Sequence, residues 1–251
     1  MKIISWNLNG LLSCVKHNSF QAIEALGADV VCCQEIRTKQ QTQVMAGYQH
    51  FWNPSERDGY SGTLTMTRKA PICEIRGLGV EALDCEGRVV TLEFPKLFIV
   101  NAYAPNSQKN LQRHQFRTEW DEAFRGYVCS LAEEKPVVAC GDFNVAMSDI
   151  DIYPENLRQY WAQMGYASDE RSNLETLMES GFTDAFRYLY PDREGAYTWW
   201  SNRLKKREQN RGWRLDYFFL SDGLVSRLVD VAHLTDILGS DHCPILMELD
   251  L

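Results

Sequence analysis

Short apolar segments rich in β-branched and aromatic residues recur along the whole chain and constrain its fold more than any other feature. Such segments, bounded by Gly, Pro, Asn and Asp, predict β-strands. Nine are predicted, at 2–8, 29–33, 63–67, 88–94, 97–104, 137–140, 214–220, 228–233 and 244–249. Helical periodicity is seen in three segments, at 18–26, 110–132 and 169–180. Because strands outnumber helices and the two alternate, we expect an α/β protein with layers of sheet flanked by helices.

Length and composition indicate one large globular domain spanning residues 1–251. The chain has 251 residues, and no repeat or linker-like stretch divides it. With 45% hydrophobic residues it has the material for a substantial core, which excludes disordered and fibrous proteins. The net charge of −8 excludes a surface built throughout to bind polyanions, but it leaves room for one basic region.

The amino-terminal segment and the cysteines favour a soluble cytoplasmic protein with no membrane partner. The first ten residues lack the basic and apolar regions of a signal peptide, and no apolar run reaches the ~18 residues of a membrane span. Several of the eight Cys lie in apolar runs, as reduced core thiols do. Neither the Cys nor the five His have the spacing of a zinc site.

Polar residues stand where several of the predicted strands end. Glu35 follows one apolar run, Asp142 follows another, and Asp216 lies at the start of a third. Carboxylates at the rim of a buried sheet are costly unless a cation or hydrogen-bond donors meet them. Oxygen ligands without clustered Cys or His favour Mg²⁺ or Mn²⁺. The sequence therefore predicts a site for a hard divalent cation.

An acid and an imidazole, Asp241 and His242, stand side by side just before the last predicted strand. Phosphoester cleavage needs a metal, a carboxylate that activates water, and donors to the phosphate oxygens. Tyr103, Asn106 and Asn144 are candidate donors. Taken alone, each of these short motifs is also typical of an ordinary turn or a packed side chain. Their combination in one chain favours the catalytic interpretation.

Eight motifs in order carry a more specific signal. They are Trp6-Asn7-x-Asn9-Gly10, Gln34-Glu35, Gly59-Tyr60-Ser61-Gly62-Thr63, Glu86-Gly87-Arg88, Tyr103-x-Pro105-Asn106, Gly141-Asp142-x-Asn144, Gly212-Trp213-Arg214-x-Asp216-Tyr217 and Ser240-Asp241-His242-Cys243-Pro244. With them the sequence resembles, from end to end, the exonuclease III family of apurinic/apyrimidinic endonucleases. The resemblance implies a DNase I-like fold, a four-layer α/β sandwich with two mixed β-sheets packed face to face and flanking helices.

The resemblance also implies roles for individual residues. Glu35 resembles the principal metal ligand, Asp142 the carboxylate that orients or activates water, and His242 the imidazole beside the scissile phosphate. The implied catalytic set is Tyr103, Asp142, Asn144, Asp216 and His242. The implied metal ligands are Asn7, Glu35, Asp142, Asn144 and Asp241, with Mg²⁺ or Mn²⁺ as the cofactor. Whether the site holds one metal or two stays open.

A basic segment is the predicted DNA-binding region, although the chain as a whole has a negative net charge. Residues 203–214 hold six basic residues and one acidic residue, and tryptophans flank them. Aromatic walls beside a cationic loop suit a flipped-out sugar that lacks its base. The alternative is a solvated charged loop with core tryptophans. The predicted DNA-binding residues are Asn106, Lys109, Trp199, Arg203, Arg207, Arg211 and Trp213.

The resemblance thus implies a monomeric, Mg²⁺-dependent enzyme of DNA repair. Its expected partner is double-stranded DNA, which it cuts 5′ to an abasic site or trims at the 3′ end. Two alternatives stay open: a phosphatase of the same fold acting on inositol lipids or sphingomyelin, and a DNA-binding homologue without activity. The chain departs from the family pattern at Arg203-Leu204-Lys205-Lys206 and at Tyr166-Ala167-Ser168. These departures leave open the balance between endonuclease and exonuclease activity.

Overall fold

Two mixed sheets form the centre of the molecule in the computed structural model, which describes residues 1–154 and 165–251. The first sheet has the strand order β11-β12-β1-β2-β4-β3, in which only β1 and β2 are parallel. Its strands are β1 (Lys2–Asn7), β2 (Val30–Gln34), β3 (Gln49–Asn53), β4 (Thr63–Thr67), β11 (Leu228–His233) and β12 (Ile245–Leu249).

The second sheet has the order β5-β6-β7-β8-β10-β9, in which only β7 and β8 are parallel. Its strands are β5 (Cys73–Arg76), β6 (Val89–Glu93), β7 (Phe98–Tyr103), β8 (Val137–Asp142), β9 (Phe182–Asp184) and β10 (Asp216–Ser221). The helices of the described ranges are α1 (Leu11–Lys16), α2 (Phe20–Ala25), α3 (Glu81–Asp84), α4 (His114–Glu134), α5 (Ser168–Glu179), α6 (Ala185–Leu189) and α7 (Asp222–Val225).

Four layers follow from the way these elements bury their apolar faces. Between the sheets, side chains such as Val30 and Val138 pack in a common core. The outer face of the first sheet packs against α1 and α2, and that of the second sheet against α4 and α5. In α4, Trp120, Phe124 and Val128 recur every four residues, which gives the helix the apolar stripe that it lays on the sheet. The predicted four-layer sandwich is confirmed.

The strands that the sequence did not predict, β3, β5 and β9, all lie at the edges of the sheets. Of these, β3 and β5 are only partly buried and lack the apolar run of a central strand, whereas β9 is mostly buried but has only three residues. In β5 the burial alternates only weakly, and Cys73 and Arg76 are exposed. Within the described ranges no helix is both long and apolar enough to cross a membrane.

Parallel strands of both sheets end at the same end of the sandwich. In the first sheet Asn7 is level with Gln34, and in the second Tyr103 and Asp216 are both level with Asp142. Several hydrogen bonds cross between the sheets here. Asn7 Nδ2 donates to Asp142 Oδ2 at 2.7 Å, and Gln34 Nε2 donates to the side-chain oxygen of Asn101 at 2.8 Å. The polar strand ends of both sheets therefore meet in one place.

Candidate active site

A cleft of about 700 Å³ opens at this end of the sandwich. Most of the residues predicted from the sequence line it, and they come from both sheets and from the loops between them. They are Glu35, Tyr103, Asn106, Asp142, Asn144, Trp199, Arg203, Arg211, Trp213, Asp241 and His242, together with Leu215. Two further predicted residues, Asn7 and Asp216, lie behind this lining and hydrogen bond to it.

Asp142 stands at the end of β8, and both of its carboxylate oxygens are engaged. Oδ2 accepts from Asn7 Nδ2 at 2.7 Å, and Oδ1 accepts from the backbone N–H of Asn144 at 2.8 Å. The side chain of Asn144 also donates to Asp142 Oδ2, at 3.3 Å. These donors fix the orientation of a carboxylate that faces the cleft, which is the arrangement that a water-activating base needs.

His242 lies between two carboxylates. Its Nδ1 is 2.8 Å from Asp216 Oδ2, and its Nε2 is 3.8 Å from Asp142 Oδ2. Thr198 holds Asp216 in place, because its hydroxyl oxygen accepts from the backbone N–H groups of Leu215 and Asp216. The carboxylate of Asp216 fixes the orientation of the ring and favours its protonated form, as an Asp–His pair does.

The electrostatics of this group follow from burial and proximity. Asp142, Asp216 and His242 are each at most 5% exposed. Burial, together with the charge of Asp216, raises the pKa of Asp142 above its ordinary value, while His242 opposes the shift. For His242, burial lowers the pKa, but the charges of Asp216 and Asp142 outweigh it and raise the pKa. A carboxylate with a raised pKa is a stronger base near neutral pH, where a charged imidazole also persists.

Amide and phenol donors lie beside Asp142. The amide group of Asn106 donates to Asn144 Oδ1 at 3.0 Å, and Asn144 in turn donates to the carbonyl of Ala104 at 3.0 Å. Arg88 packs under Tyr103, with its guanidinium carbon 4.7 Å from the centre of the ring. Burial raises the pKa of Tyr103 well above its ordinary value, with the charge of Glu35 as the next cause. The phenol is therefore a neutral hydrogen-bond donor.

The acidic corner of the cleft has the donor set of a hard cation. Glu35 forms an ion pair with Arg37, and Asp241 accepts from Asn9 Nδ2 at 2.9 Å and from Trp199 Nε1 at 3.1 Å. Ligand atoms of Asp142, Asp216 and His242 also lie within 4.8 Å of one another. Asp216 Oδ1 is buried without a hydrogen-bond partner. These oxygen atoms fit a hard divalent cation.

Two of the predicted site residues that line the cleft have a left-handed backbone conformation. Glu35 and Asn144 have φ values of 55° and 53°, in the left-handed region that residues other than glycine rarely adopt. Each follows the end of a strand, β2 or β8, and the left-handed turn directs its side chain into the cleft. Such outliers cluster at functional sites, where the surrounding structure compensates for the strain.

Two tryptophans form an aromatic corner beside His242. Trp199 and Trp213 exchange backbone hydrogen bonds of 2.9 Å, and their rings meet edge to face with centroids 6.3 Å apart. Leu215 and Tyr166 pack with them in one small apolar cluster. The predicted aromatic wall is thus a local antiparallel pair that presents apolar surface to the cleft.

The basic segment divides between two faces. Arg203, Lys206 and Arg211 line the cleft, whereas Arg207 lines a separate cavity of about 410 Å³. The side chain of Lys109 lies outside the described part of the structure. Lys206 was not among the DNA-binding residues predicted from the sequence, although it lies in the same basic run. Arg37 was missed as well, and its only sequence signal is its position two residues after Glu35.

Comparison with known proteins gives a consistent result. The family model described as "Endonuclease/Exonuclease/phosphatase family" matches residues 4–242. An exodeoxyribonuclease of Bacillus subtilis (strain 168) is 41% identical over 254 residues, which cover 100% of each chain. The DNA repair nuclease APEX1 of Danio rerio is 42% identical over 256 residues, which cover 99% of this chain and 82% of that protein. The crystal structure of the AP endonuclease LMAP from Leishmania major superposes with a TM-score of 0.90 at 32% identity, covering 98% of this chain and 86% of that one.

Proposed function

The chain belongs to the endonuclease/exonuclease/phosphatase family, and from this premise we propose that it is a divalent-metal-dependent DNA-repair nuclease. It hydrolyses the phosphodiester backbone 5′ to an abasic site and removes nucleotides or blocking groups from 3′ ends. The observation that carries the proposal is the buried Asp142–His242–Asp216 array, which opens into a cleft with an aromatic corner and basic residues. We also propose that it acts as a monomer.

The array can perform an in-line hydrolysis. Asp142, held by Asn7 and Asn144, takes a proton from the attacking water. The water oxygen bonds to phosphorus while the P–O3′ bond breaks, and the O3′ atom takes up a proton from solvent water and leaves as a 3′-hydroxyl. His242, kept charged by Asp216, stabilises the negative charge that develops on the phosphate oxygens.

Glu35, Asp241 and Asn7 are the residues proposed to hold the cation, which we take to be Mg²⁺, with Asp142 and Asn144 at its edge. When bound, such an ion neutralises charge that develops on the phosphate and on the oxygen atoms that attack and leave. Arg37 already neutralises Glu35 and lies in the same cleft. It thereby keeps the acidic corner from repelling an approaching phosphate.

The aromatic corner supports the preference for a missing base. We expect the sugar of an abasic nucleotide to pack against Trp199, Trp213 and Leu215. These apolar side chains favour a sugar without a base over a nucleotide whose base carries polar groups. Arg203, Lys206 and Arg211 contact the phosphates on either side. A phosphatase for inositol lipids has no need of this aromatic corner.

Incision of an end-labelled duplex that carries one abasic analogue tests the proposal. The duplex is incubated with Mg²⁺ or with chelator, beside an intact control duplex. We expect metal-dependent nicking on the 5′ side of the lesion, and shortening of the control strand measures the 3′ exonuclease activity. The matched variant Asp142→Asn should retain affinity for DNA while turnover falls at least about a hundredfold.

Two results would contradict the proposal. The absence of cleavage with either Mg²⁺ or Mn²⁺, while DNA is bound, would favour a DNA-binding homologue without activity. Absence of both cleavage and binding would favour another phosphoester substrate. If Asp142→Asn retained full turnover, the assignment of Asp142 as the base would be wrong.

A further inference from the structure

Arg207 differs from the other basic residues of its loop in what its guanidinium contacts. Nη1 donates to the backbone carbonyls of Ser240 at 2.8 Å and, more weakly, of His242 at 3.5 Å. Nη2 donates to the carbonyls of Thr235 at 3.0 Å and Ile237 at 2.8 Å. The planar group thus joins the basic loop to the segment 235–242, about thirty residues further along the chain.

These contacts occupy the N–H groups with which Arg207 could otherwise bind a phosphate. A guanidinium has five N–H groups, and the four on its Nη atoms point to carbonyls in this structure. Its plane also lies over Trp200, with the guanidinium carbon 4.8 Å from the centre of the ring. The side chain is directed away from the cleft that Arg203, Lys206 and Arg211 line.

The segment that Arg207 holds carries two residues of the site, Asp241 and His242. Donors from three different elements fix its three consecutive carbonyls. Arg207 donates to the carbonyl of Ser240, and the backbone N–H of Trp200 donates to the carbonyl of Asp241 at 3.0 Å. Trp6 Nε1 donates to the carbonyl of His242 at 3.2 Å. Of these, Arg207 is the contact that links the segment to the basic loop.

We propose that Arg207 is a positioning residue, which locks the Asp241–His242 segment to the basic loop and does not bind DNA phosphate. The inference rests on the proposed function and assigns to one arginine of the basic run a task different from that of its neighbours. Its physical basis is the fork shape of the guanidinium, which spans two pairs of carbonyls at once.

Arg→Gln and Arg→Lys variants at positions 207 and 203 separate shape from charge. Lys keeps the charge but donates from a single point, so it cannot replace the fork. For Arg207→Gln and Arg207→Lys alike we expect kcat to fall about ten- to a hundredfold, as for misplacement of a catalytic group by about 1 Å. Their Kd for an uncleaved abasic duplex in chelator should stay within about twofold of the wild type.

Salt dependence provides the contrast with Arg203. Arg203→Gln should weaken binding and reduce the slope of log Kd against log salt by about 0.9, and Arg203→Lys should restore both. Neither variant of Arg207 should change that slope. Arg227→Gln, at an exposed position at the far end of the sandwich, is the matched control for removal of one positive charge.

Hydrogen–deuterium exchange tests the lock without any activity. We expect faster exchange in peptides covering 234–243 for both Arg207 variants and unchanged exchange for the Arg203 and Arg227 variants. If the wild type cleaves no DNA, the proposed function fails, while the exchange and affinity measurements still decide the role of Arg207. Circular dichroism at the assay temperature establishes that each variant is folded. If Arg207→Gln does not fold, Arg207→Lys is used for the same measurements.

The proposal would be overturned by either of two patterns. A salt slope reduced by about 0.9 in Arg207→Gln and restored in Arg207→Lys would make Arg207 a phosphate contact. A lower melting temperature with unchanged kcat and unchanged exchange at 234–243 would reduce Arg207 to a purely structural residue.

Discussion

Replacing Asp216 with Asn removes one charge from the site and keeps the shape of the side chain. Asp216 lies behind His242, with Oδ2 at 2.8 Å from Nδ1, and its side chain is fully buried. The variant therefore isolates the effect of the charge on the imidazole. Asp222→Asn is the matched control, because it also removes one carboxylate charge but at an exposed position just after the end of β10.

The magnitude follows from the geometry. A hydrogen bond to a charged group contributes about 1.5–3 kcal/mol, and full burial of both partners puts this pair at the upper end. A loss of about 3 kcal/mol in the transition state corresponds to a fall of about a hundredfold in kcat. The Kd for DNA should change little, since Asp216 does not line the cleft.

Single-turnover incision of the abasic duplex measures this loss, and binding in chelator measures Kd. A kcat within about threefold of the wild type would refute the argument that Asp216 sets the charge of His242. A kcat restored by a higher Mg²⁺ concentration would instead make Asp216 a metal ligand. The melting temperature of the variant shows whether the fold has been retained.

Three further predictions concern stability. Burial and nearby arginines lower the pKa of His233 to about 3 in the folded protein, whereas in the unfolded chain the imidazole has a pKa of about 6.5. Below pH 6.5 the unfolded chain therefore binds a proton that the folded protein does not, so the free energy of unfolding should fall by about 2 kcal/mol between pH 6.5 and 5. Urea melts should show this dependence flattened in His233→Gln, and an unchanged dependence would assign it to other groups. In Gly141→Ala the new Cβ would lie 1.7 Å from the carbonyl oxygen of Ala102, so the urea midpoint should drop sharply; a wild-type midpoint would contradict this close approach. Asp151→Asn weakens the pairing of buried Arg214 and should cost about 3 kcal/mol, read from thermal melts; a loss under about 1 kcal/mol would contradict the pairing.

The central strands and the polar strand ends could be predicted from the sequence because both depend on local pattern. A buried strand needs a continuous apolar run, and the residue that leaves the sheet at its end is marked by a change to carboxylate or amide. Glu35 and Asp142 were found in this way, and the structure brings both to one cleft. Three edge strands were missed: β3 and β5 are only partly buried and lack such a run, and β9 has only three residues.

The different contacts of the arginines in the basic loop could not be predicted from the sequence. Arg203 and Arg207 belong to the same run of charges, and composition treats them alike. What separates them is contact with the segment 235–242, which only the folded chain brings near. Arg37 was missed for a similar reason, since its role depends on the left-handed turn at Glu35.

The chemistry of this site depends on the distance between the two sheets. Asn7 and Glu35 come from the first sheet, and Asp142 and Asp216 from the second, so no single sheet holds the reaction. The Asn7–Asp142 hydrogen bond joins the sheets at the proposed site of hydrolysis. His242 completes the array from the loop before β12, and its position depends on hydrogen bonds to residues of both sheets and of the basic loop. Any change that shifts one sheet against the other should therefore reduce turnover before it unfolds the protein, because a carboxylate and an imidazole act together only within hydrogen-bond reach.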